Sequence, residues 1–245
     1  MSHGDDVKVD VRDEVKIDVR ERGANQQTSE RRLFLQLLAF GGCRDPKPLL
    51  GALEAARIDA VLYRDLNDPR GVAVLGMSEE PAFFAQSFRD LLNSEPFGSL
   101  DHKHELTMLG RTYASGFEGD LDDWLLRRPR RTVLNPVWPW AVWYPLRRTG
   151  SFARLSPQEQ GTIIREHSVI GRAYGEADLV HDVRLACHGL DVRDNDFVIG
   201  LMGKDLHPLS HIVQRMRTTV QTSQYLQTLG PFFVGHALWQ SPLPA

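Results

Sequence analysis

The stretch SPQEQGTIIREHSVIGRAYG, residues 156–175, predicts a long helix from which the rest of the chain can be interpreted. Ser156 is a favourable N-cap residue and Pro157 suits the first helical position. Glu159, three residues after the cap, can complete a capping box. The sequence therefore indicates where this helix begins.

A histidine lies on the apolar face of the predicted helix. Ile163, His167, Ile170 and Tyr174 follow one face of a 3.6-residue period. Such an imidazole is either a core side chain that hydrogen-bonds a backbone carbonyl, or an axial ligand to a metal or haem iron. The helix pattern leaves both interpretations open.

Strand-like segments surround this helix, and their order predicts the fold class. The second half reads strand, helix, strand, strand, helix, strand: WAVWYPL, the helix at 156–175, DVRLACHGL, DFVIGLMG, HPLSHIVQRMRTT and FFVGHALW. The first half has the same order: RRLFLQLLAF, PKPLLGALEAARI, AVLYRDL, GVAVLGM, EPAFFAQSFRDLLN and HELTMLGRTY. The predicted class is α+β, with two ferredoxin-like β-α-β-β-α-β repeats that form a dimeric α+β barrel-like subunit.

This order divides the chain into four parts. Residues 1–30 form a charged N-terminal extension, with the near-repeat VKVDVRDE and VKIDVRER, which suits either a two-stranded ribbon or a mobile tail. The N-terminal repeat spans 31–119, and a Pro- and Arg-rich linker spans 120–139. The C-terminal repeat spans 140–245.

Composition excludes several classes of partner. Of 245 residues, 42% are hydrophobic and 25% charged, which is typical of globular proteins. A net charge of −3 and the lack of an 18-residue apolar run argue against nucleic acid and a membrane span. The charged N-terminus argues against a secretory signal, and Cys43 and Cys187 lack metal-binding spacing. We expect a cytoplasmic protein in which both cysteines are small buried hydrophobes.

Five segments of the second half carry a family resemblance. They are WAVWYPLRR, REHSVIGRAYG, HGLDVRDNDFVIGL, RMRTTVQTSQY and GPFFVGHAL. Together they resemble the chlorite dismutase family of haem proteins, and most closely its coproheme decarboxylase branch. The resemblance covers about residues 31–245 and is specific in the second half. It implies haem b or coproheme in the C-terminal repeat, and a homopentamer.

The resemblance assigns His167 as the proximal iron ligand, because the family's His-Gly-x-x-Gly-Arg-x-Tyr segment maps onto His167–Tyr174. A neutral imidazole that binds iron needs an acceptor for its other nitrogen, and we expect a carboxylate or carbonyl. Gly171 and Tyr174 of the same segment are expected to contact the cofactor. Gly171 is a poor helix residue, and close approach of a macrocycle or another backbone would explain it.

Tyr144 takes the place of a tyrosine that, in the decarboxylase branch, becomes a radical through peroxide-activated iron. That radical abstracts hydrogen from a propionate, which loses carbon dioxide. Arg148 stands where the branch has a lysine, and it keeps the charge but cannot donate a proton near neutral pH.

The four carboxylates of coproheme should require many fixed cations. The candidates for propionate contacts are Arg130, Arg131, Arg148 and Arg217, with the hydroxyls of Thr222 and Ser223. The segment RRPRR around Arg130 and Arg131 is equally compatible with a solvated loop.

The residue on the distal side of the iron is ambiguous. Counting from His167 gives Val180, whereas counting back from Gly189 gives Asp182. His181, Asp182 and Arg184 are all candidates, and strand alternation places the last two on one face and His181 on the other.

Three functions follow from these patterns. The leading hypothesis is oxidative decarboxylation of iron-coproporphyrin III to haem b with hydrogen peroxide. The second is a non-catalytic haem-binding or haem-sensing protein of the same fold. The third is a chlorite dismutase or peroxidase-like activity, which would need a distal arginine such as Arg184.

Overall fold

A computed structural model describes residues 17–243 of the chain. Its strands are β1 (Glu21–Arg22), β2 (Thr28–Ser29), β3 (Phe34–Gly41), β4 (Ala60–Asp65), β5 (Val72–Ser78), β6 (Asp101–Arg111), β7 (Trp140–Arg148), β8 (His181–Ala186), β9 (Phe197–Gly203), β10 (Leu226–Leu229) and β11 (Phe233–Gln240). Its α-helices are α1 (Lys47–Ala56), α2 (Ala82–Ala85), α3 (Ser87–Asn93), α4 (Arg128–Val133), α5 (Gly150–Ala153), α6 (Pro157–Glu176), α7 (Leu206–Met216) and α8 (Val220–Tyr225). A 3-10 turn spans Ala24–Gln26 and a π-helix spans Asp123–Arg127.

Strands β3 to β11 form one antiparallel sheet that closes into a barrel. The sheet runs β10-β7-β11-β4-β5-β3-β6-β8-β9, and β9 pairs back onto β7. Each half has the strand order of a ferredoxin-like unit, β6-β3-β5-β4 and β11-β7-β9-β8. The predicted α+β class with two ferredoxin-like repeats is confirmed.

Alternation along β7 separates the barrel interior from its outer face. Ala141 and Trp143 belong to the interior cluster, whereas Val142 and Tyr144 belong to the cluster on the outer face. Gly200 on β9 makes room for Trp143, because a Cβ there would lie 2.5 Å from the indole ring. The residues around Tyr144 therefore face the helices of the second repeat.

Helix α6 begins where the sequence predicts. The Ser156 hydroxyl accepts from the Glu159 backbone N–H, and the Glu159 carboxylate accepts from the Ser156 N–H. The predicted capping box is therefore present.

Other elements differ from the sequence prediction. The helix predicted over 80–93 is broken at Gln86, which separates α2 from α3. The linker 120–139 is partly helical: the π-helix and α4 lie within it, and Leu121, Leu125 and Leu126 pack into the barrel cluster. Helix α8 and strand β10 have no counterpart in the sequence prediction.

The described part of the N-terminal region contains a short hairpin. The predicted ribbon between VKVDVRDE and VKIDVRER falls largely on residues 1–16, outside the described residues. Strands β1 and β2 instead form a short hairpin at 21–29.

Cys43 and Cys187 are free and buried, as expected. No helix between residues 17 and 243 is long and apolar enough to cross a membrane.

Candidate functional site

Helix α6 covers the outer face of the second repeat's sheet, but the protein buries it only in part. None of its 20 residues is fully buried. The apolar face predicted from the sequence is half-buried at Ile163, His167, Ile170 and Tyr174. Ile170 and Tyr174 pack against the same cluster as Tyr144. The histidine and the tyrosine singled out from the sequence thus face one region, between α6 and the sheet.

The His167 imidazole is oriented by a hydroxyl at the start of α8. Thr219 Oγ1 lies 3.0 Å from His167 Nδ1 and 2.7 Å from the Met216 carbonyl oxygen. Because Thr219 donates its hydroxyl proton to Met216, its oxygen can accept from the Nδ1–H of His167. The acceptor is therefore a hydroxyl rather than the expected carboxylate or carbonyl. This arrangement leaves the lone pair of the imidazole on Nε2.

The surroundings of His167 favour the neutral ring that metal binding requires. Burial lowers the pKa of His167 below its ordinary value; the Glu166 carboxylate opposes this shift, and the Arg148 charge adds to it. The nearest hydrogen-bonding group to Nε2 is the Thr222 hydroxyl, at 3.4 Å. That long contact is weak, so it competes little with a metal for the lone pair.

Tyr144 is a buried phenol on the sheet face below α6. Its ring stacks on Phe232 with centroids 4.7 Å apart, and the side chain is 8% exposed. Burial raises the pKa of Tyr144, and the nearby Asp182 carboxylate raises it further. The phenol is therefore fully protonated at neutral pH and keeps a hydrogen atom to give.

Arg148 shares the face of Tyr144, four residues along β7. Its guanidinium carbon lies 4.6 Å from the Phe152 ring centroid and 4.7 Å from that of Phe197. Its Nε is buried without a hydrogen-bond partner, and among residues 17–243 no carboxylate forms an ion pair with it. A partly buried cation that lies between two rings and has no ion-pair partner among these residues suits an anionic ligand.

A second charged group lies on the same face, at β8. Asp182 forms ion pairs with Arg128 at 3.0 Å and with Arg184 at 2.9 Å. Both guanidinium groups lie over the Trp124 ring, at 4.6 and 5.4 Å. Burial raises the pKa of Asp182, but Arg184 and Arg128 outweigh this effect and hold it below its ordinary value. Asp182 is therefore an ionised carboxylate that forms ion pairs with two arginines.

The structure resolves the face on which each distal candidate lies. Asp182 and Arg184 pair across the sheet with Leu201 and Ile199, which face α6 and α7. His181 belongs to the opposite face, where it stacks on Trp138 at 3.5 Å. Val180 is buried in the apolar cluster of the outer face and offers no polar group.

Two arginines predicted as propionate contacts lie elsewhere. Arg130 forms an ion pair with Asp59 at 2.9 Å, and Arg131 forms one with Asp123 at 2.6 Å. Asp59 precedes β4 of the first repeat, so Arg130 points away from the face of Tyr144. The sequence could not separate these arginines from Arg128, which does reach that face.

The remaining candidates lie on α6, α7 and α8. Arg217, at the end of α7, is exposed and forms no ion pair among the described residues. The Ser223 hydroxyl donates to the Thr219 carbonyl, and Thr222 contacts His167 as described above. The Tyr174 hydroxyl forms a hydrogen bond with Nδ1 of His211, which joins α6 to α7.

Gly171 lies close to no other backbone segment among residues 17–243. The atom nearest to a Cβ built there is Met216 Cε, at 3.9 Å, which is ordinary contact. Close approach of another chain segment is therefore not the reason for this glycine, and contact with a macrocycle stays a prediction.

Sequence reasoning missed four residues of the site. Tyr113 lies two residues after β6, and its ring centroid is 5.5 Å from that of Phe197. The charges of Arg184, Arg148 and Asp182 act on its hydroxyl. The other three are Trp124, Arg128 and Thr219. A π-helix often marks a functional position, but the π-helix that carries Trp124 has no recognisable sequence signature.

Comparisons with known proteins identify the family and support the fold. The sequence profile of the chlorite dismutase family matches residues 84–238. The chain belongs to the chlorite dismutase family. A solved structure described as a novel heme-binding protein from Thermus thermophilus is 19% identical, with a TM-score of 0.67 over 87% of this chain and 93% of that one. The chlorite dismutase of Candidatus Nitrospira defluvii, solved with imidazole, is 14% identical, with a TM-score of 0.66 over 88% and 93%.

The donor groups of this family member fit an iron porphyrin better than a bare metal ion. Between residues 17 and 243, no group of three or more His, Cys, Asp or Glu side chains could hold a metal ion. An iron bound by His167 must therefore bring most of its own ligands, as a porphyrin does. The unpaired Arg148 beside it suits a propionate. Haem iron is thus the cofactor type that the site accommodates.

Proposed function

We propose that this chain decarboxylates iron-coproporphyrin III to haem b with hydrogen peroxide. The observation that carries the proposal is the placement of Tyr144: a buried, protonated phenol on the face covered by the His167 helix, with the unpaired cation Arg148 on the same strand. A phenol in that position can exchange a hydrogen atom with a bound propionate. A cation beside it can hold the propionate in reach.

Each residue has a defined task in this reaction. The bound iron supplies peroxide-dependent oxidation. Tyr144 gives up its phenolic hydrogen atom and then takes one from a propionate side chain, which loses carbon dioxide and becomes a vinyl group. Each propionate loses two electrons in all, and one hydrogen peroxide accepts them. His167 is the iron ligand, and Thr219 fixes its ring orientation.

In this proposal, arginines near the face of Tyr144 bind the carboxylates of coproheme. Arg148 is the strongest candidate because its Nε is buried and has no hydrogen-bond partner among residues 17–243. Arg217 is exposed and unpaired at the end of α7, among the described residues. Thr222 and Ser223 stay candidate hydroxyl donors. Arg130 and Arg131 are not part of this proposal, because Asp59 and Asp123 already bind them.

The decisive experiment combines coproheme with hydrogen peroxide and follows the product by mass. The unmodified protein should produce successive losses of carbon dioxide, whereas Tyr144→Phe should bind coproheme and leave it intact. Tyr63→Phe is the matched control, because Tyr63 is an equally buried phenol that points into the barrel. Turnover by Tyr144→Phe at the parental rate would refute the assigned role.

Chlorite decomposition is a second candidate, favoured by Arg184 on the face of Tyr144. Its guanidinium is held by Asp182 at 2.9 Å, which limits its freedom to meet an oxidant. Oxygen release from chlorite by the haem-loaded protein would favour this function. Haem binding without either reaction would instead indicate the haem-binding or haem-sensing alternative.

The proposal includes the homopentamer implied by the resemblance and the cytoplasmic location expected from the charged N-terminus and the two cysteines. Sedimentation of the purified full chain measures the first directly. A monomer or dimer at micromolar concentration would remove the pentamer from the proposal.

A further inference from the structure

The short N-terminal hairpin, residues 21–29, lies against the segment that leads into the candidate site. Its two strands pair antiparallel, Glu21 with Ser29 and Arg22 with Thr28. The hairpin precedes the first barrel strand and has no counterpart in the β-α-β-β-α-β order. Its contacts therefore show what it adds to the fold.

We name residues 113–128 the wall segment, because it brings Tyr113, Trp124 and Arg128 to the site. Tyr113 contacts Phe197, and its backbone carbonyl accepts from Trp124 Nε1 at 2.9 Å. Trp124 in turn lies against the Arg128 guanidinium, which pairs with Asp182. The wall segment thus acts as one connected unit beside Arg148 and Tyr144.

The hairpin holds the wall segment by hydrogen bonds to its backbone. Gln27 Nε2 donates to the Gly119 carbonyl at 2.7 Å, and Gln27 Oε1 accepts from the Leu121 N–H at 3.3 Å. The Ala24 N–H donates to the Glu118 carbonyl at 2.9 Å. One glutamine thus satisfies a donor and an acceptor of the same loop, as a neighbouring strand would.

Glu21 fixes the other end of the same loop, next to Tyr113. Its Oε2 accepts from the Ala114 N–H at 3.0 Å. Its Oε1 forms ion pairs with Arg32 at 3.2 Å and Arg111 at 2.9 Å, and the side chain is 12% exposed. Arg32 precedes β3 and Arg111 ends β6, so this carboxylate ties the wall segment to the barrel frame.

The hairpin also packs closely against the wall segment at Gly23. A Cβ at Gly23 would lie 2.8 Å from the Glu118 carbonyl oxygen and 2.8 Å from Leu121 Cγ. No other residue fits at this position without displacing the loop. The hairpin and the wall segment therefore meet backbone to backbone.

We propose that the N-terminal hairpin positions the wall segment for iron-porphyrin binding, with Glu21 and Gln27 as the positioning residues. Neither residue touches the face of Tyr144, so both act through Tyr113, Trp124 and Arg128. Loosening the hairpin lowers porphyrin affinity without changing the iron ligand. This inference rests on porphyrin binding at the proposed site, but it does not require the decarboxylation reaction.

The test uses Glu21→Ala and Gln27→Ala in the full chain, with Glu30→Ala as the matched control. Glu30 is exposed, and its carboxylate forms no hydrogen bond or ion pair among the described residues. Two readouts are needed: amide hydrogen exchange of residues 113–121 without porphyrin, and titration of the protein with coproheme followed by the Soret band. Thermal unfolding shows whether each variant is folded.

Glu21→Ala should speed amide exchange at Ala114, and Gln27→Ala should speed it at Leu121. Both variants should raise the coproheme Kd roughly five- to tenfold, as expected for one or two lost hydrogen bonds. The Soret spectrum at saturation should match the parent, because His167 is untouched. Unchanged Kd values with faster exchange would reduce the hairpin to a structural element and overturn the proposal. Unchanged exchange would overturn it as well. A protein that binds coproheme without turning it over would refute the proposed reaction and leave this test valid.

Discussion

The outer faces of the two repeats have the same topology but different contents. In the first repeat, α1 and α3 close the face with an apolar core: Leu49, Leu53, Phe88 and Leu92 are all at most 8% exposed. In the second repeat, α6 is twice the length of α1 and buries none of its residues fully. That face also carries Tyr144, Arg148 and Asp182. Topology alone therefore does not decide whether a sheet face becomes a core or a site.

The difference has a physical cause in the residues that the sheet presents. Charged and hydroxyl-bearing side chains are costly to bury unless they have partners, so a helix cannot close tightly over them. Under its helices the first repeat presents mainly apolar groups and gains most of the benefit of burial. The second repeat gains less free energy from burial and keeps a face that can accept a ligand. The following predictions test this contrast, from the largest expected effect to the smallest.

Replacing His167 with alanine should remove most iron-porphyrin affinity and leave the fold intact, since α6 contributes little buried core. The loss should exceed the roughly 10–100-fold typical of losing an outer-shell partner of a metal ligand. Soret titration with haem b measures the affinity, and circular dichroism the fold. Ser168→Ala, an exposed neighbour on the same helix, is the control. An unchanged titration would show that His167 is not the ligand.

Matched truncations on the two faces should have unequal effects on stability. Leu53→Ala in the first repeat should lower the free energy of unfolding by about 2–5 kcal/mol, as for a fully buried leucine. Ile170→Ala on α6 should cost only about 1 kcal/mol, because this side chain is half-buried. Urea unfolding without porphyrin measures both. Equal losses would mean that α6 is packed as tightly as α1.

Removing the unpaired arginine should erode selectivity for the more anionic porphyrin. We expect Arg148→Ala to lower coproheme affinity about tenfold and haem b affinity less, since a shielded charge-assisted pair contributes about 1.5–3 kcal/mol. Arg217→Ala should act in the same direction but more weakly, because solvent screens an exposed pair. Titrations at low and high salt provide the measurement, with Arg147→Ala, which pairs with Asp194, as the control. Equal dissociation constants of the parent protein for both porphyrins would contradict coproheme as the ligand.

Acid should weaken the charged face through Asp182. Its folded pKa lies below the ordinary value of 3.8, so its stabilising effect is complete above pH 3.8 and is lost as the pH falls through the folded pKa. Asp182→Asn should therefore reduce the slope of stability against pH below 3.8. Urea unfolding at several acidic pH values measures the slope, with the exposed Asp194→Asn as the control. A slope identical to that of the parent would mean that the two arginines do not stabilise this carboxylate.

The sequence alone was sufficient for the repeating elements and for the faces on which His167 and Tyr144 lie. A capping box at Ser156, helical spacing through His167 and alternation through Tyr144 are local patterns, and local backbone geometry enforces them. The same alternation places Asp182 and Arg184 on one face and His181 on the other. Each of these inferences needs only neighbouring residues, so no tertiary contact had to be known.

Tertiary structure decided which partners these residues meet. The hydroxyl that orients His167 comes from Thr219, 52 residues further along the chain. Thr219 lies at the start of α8, a helix that the sequence pattern did not predict. Arg128 reaches Asp182 across 54 residues, whereas Arg130 turns to Asp59 across 71. All the arginines of RRPRR have the same chemistry, so only the path of the linker along the barrel selects among them. Ion pairs and hydrogen bonds between distant segments depend on how the elements pack, and local sequence does not encode that packing.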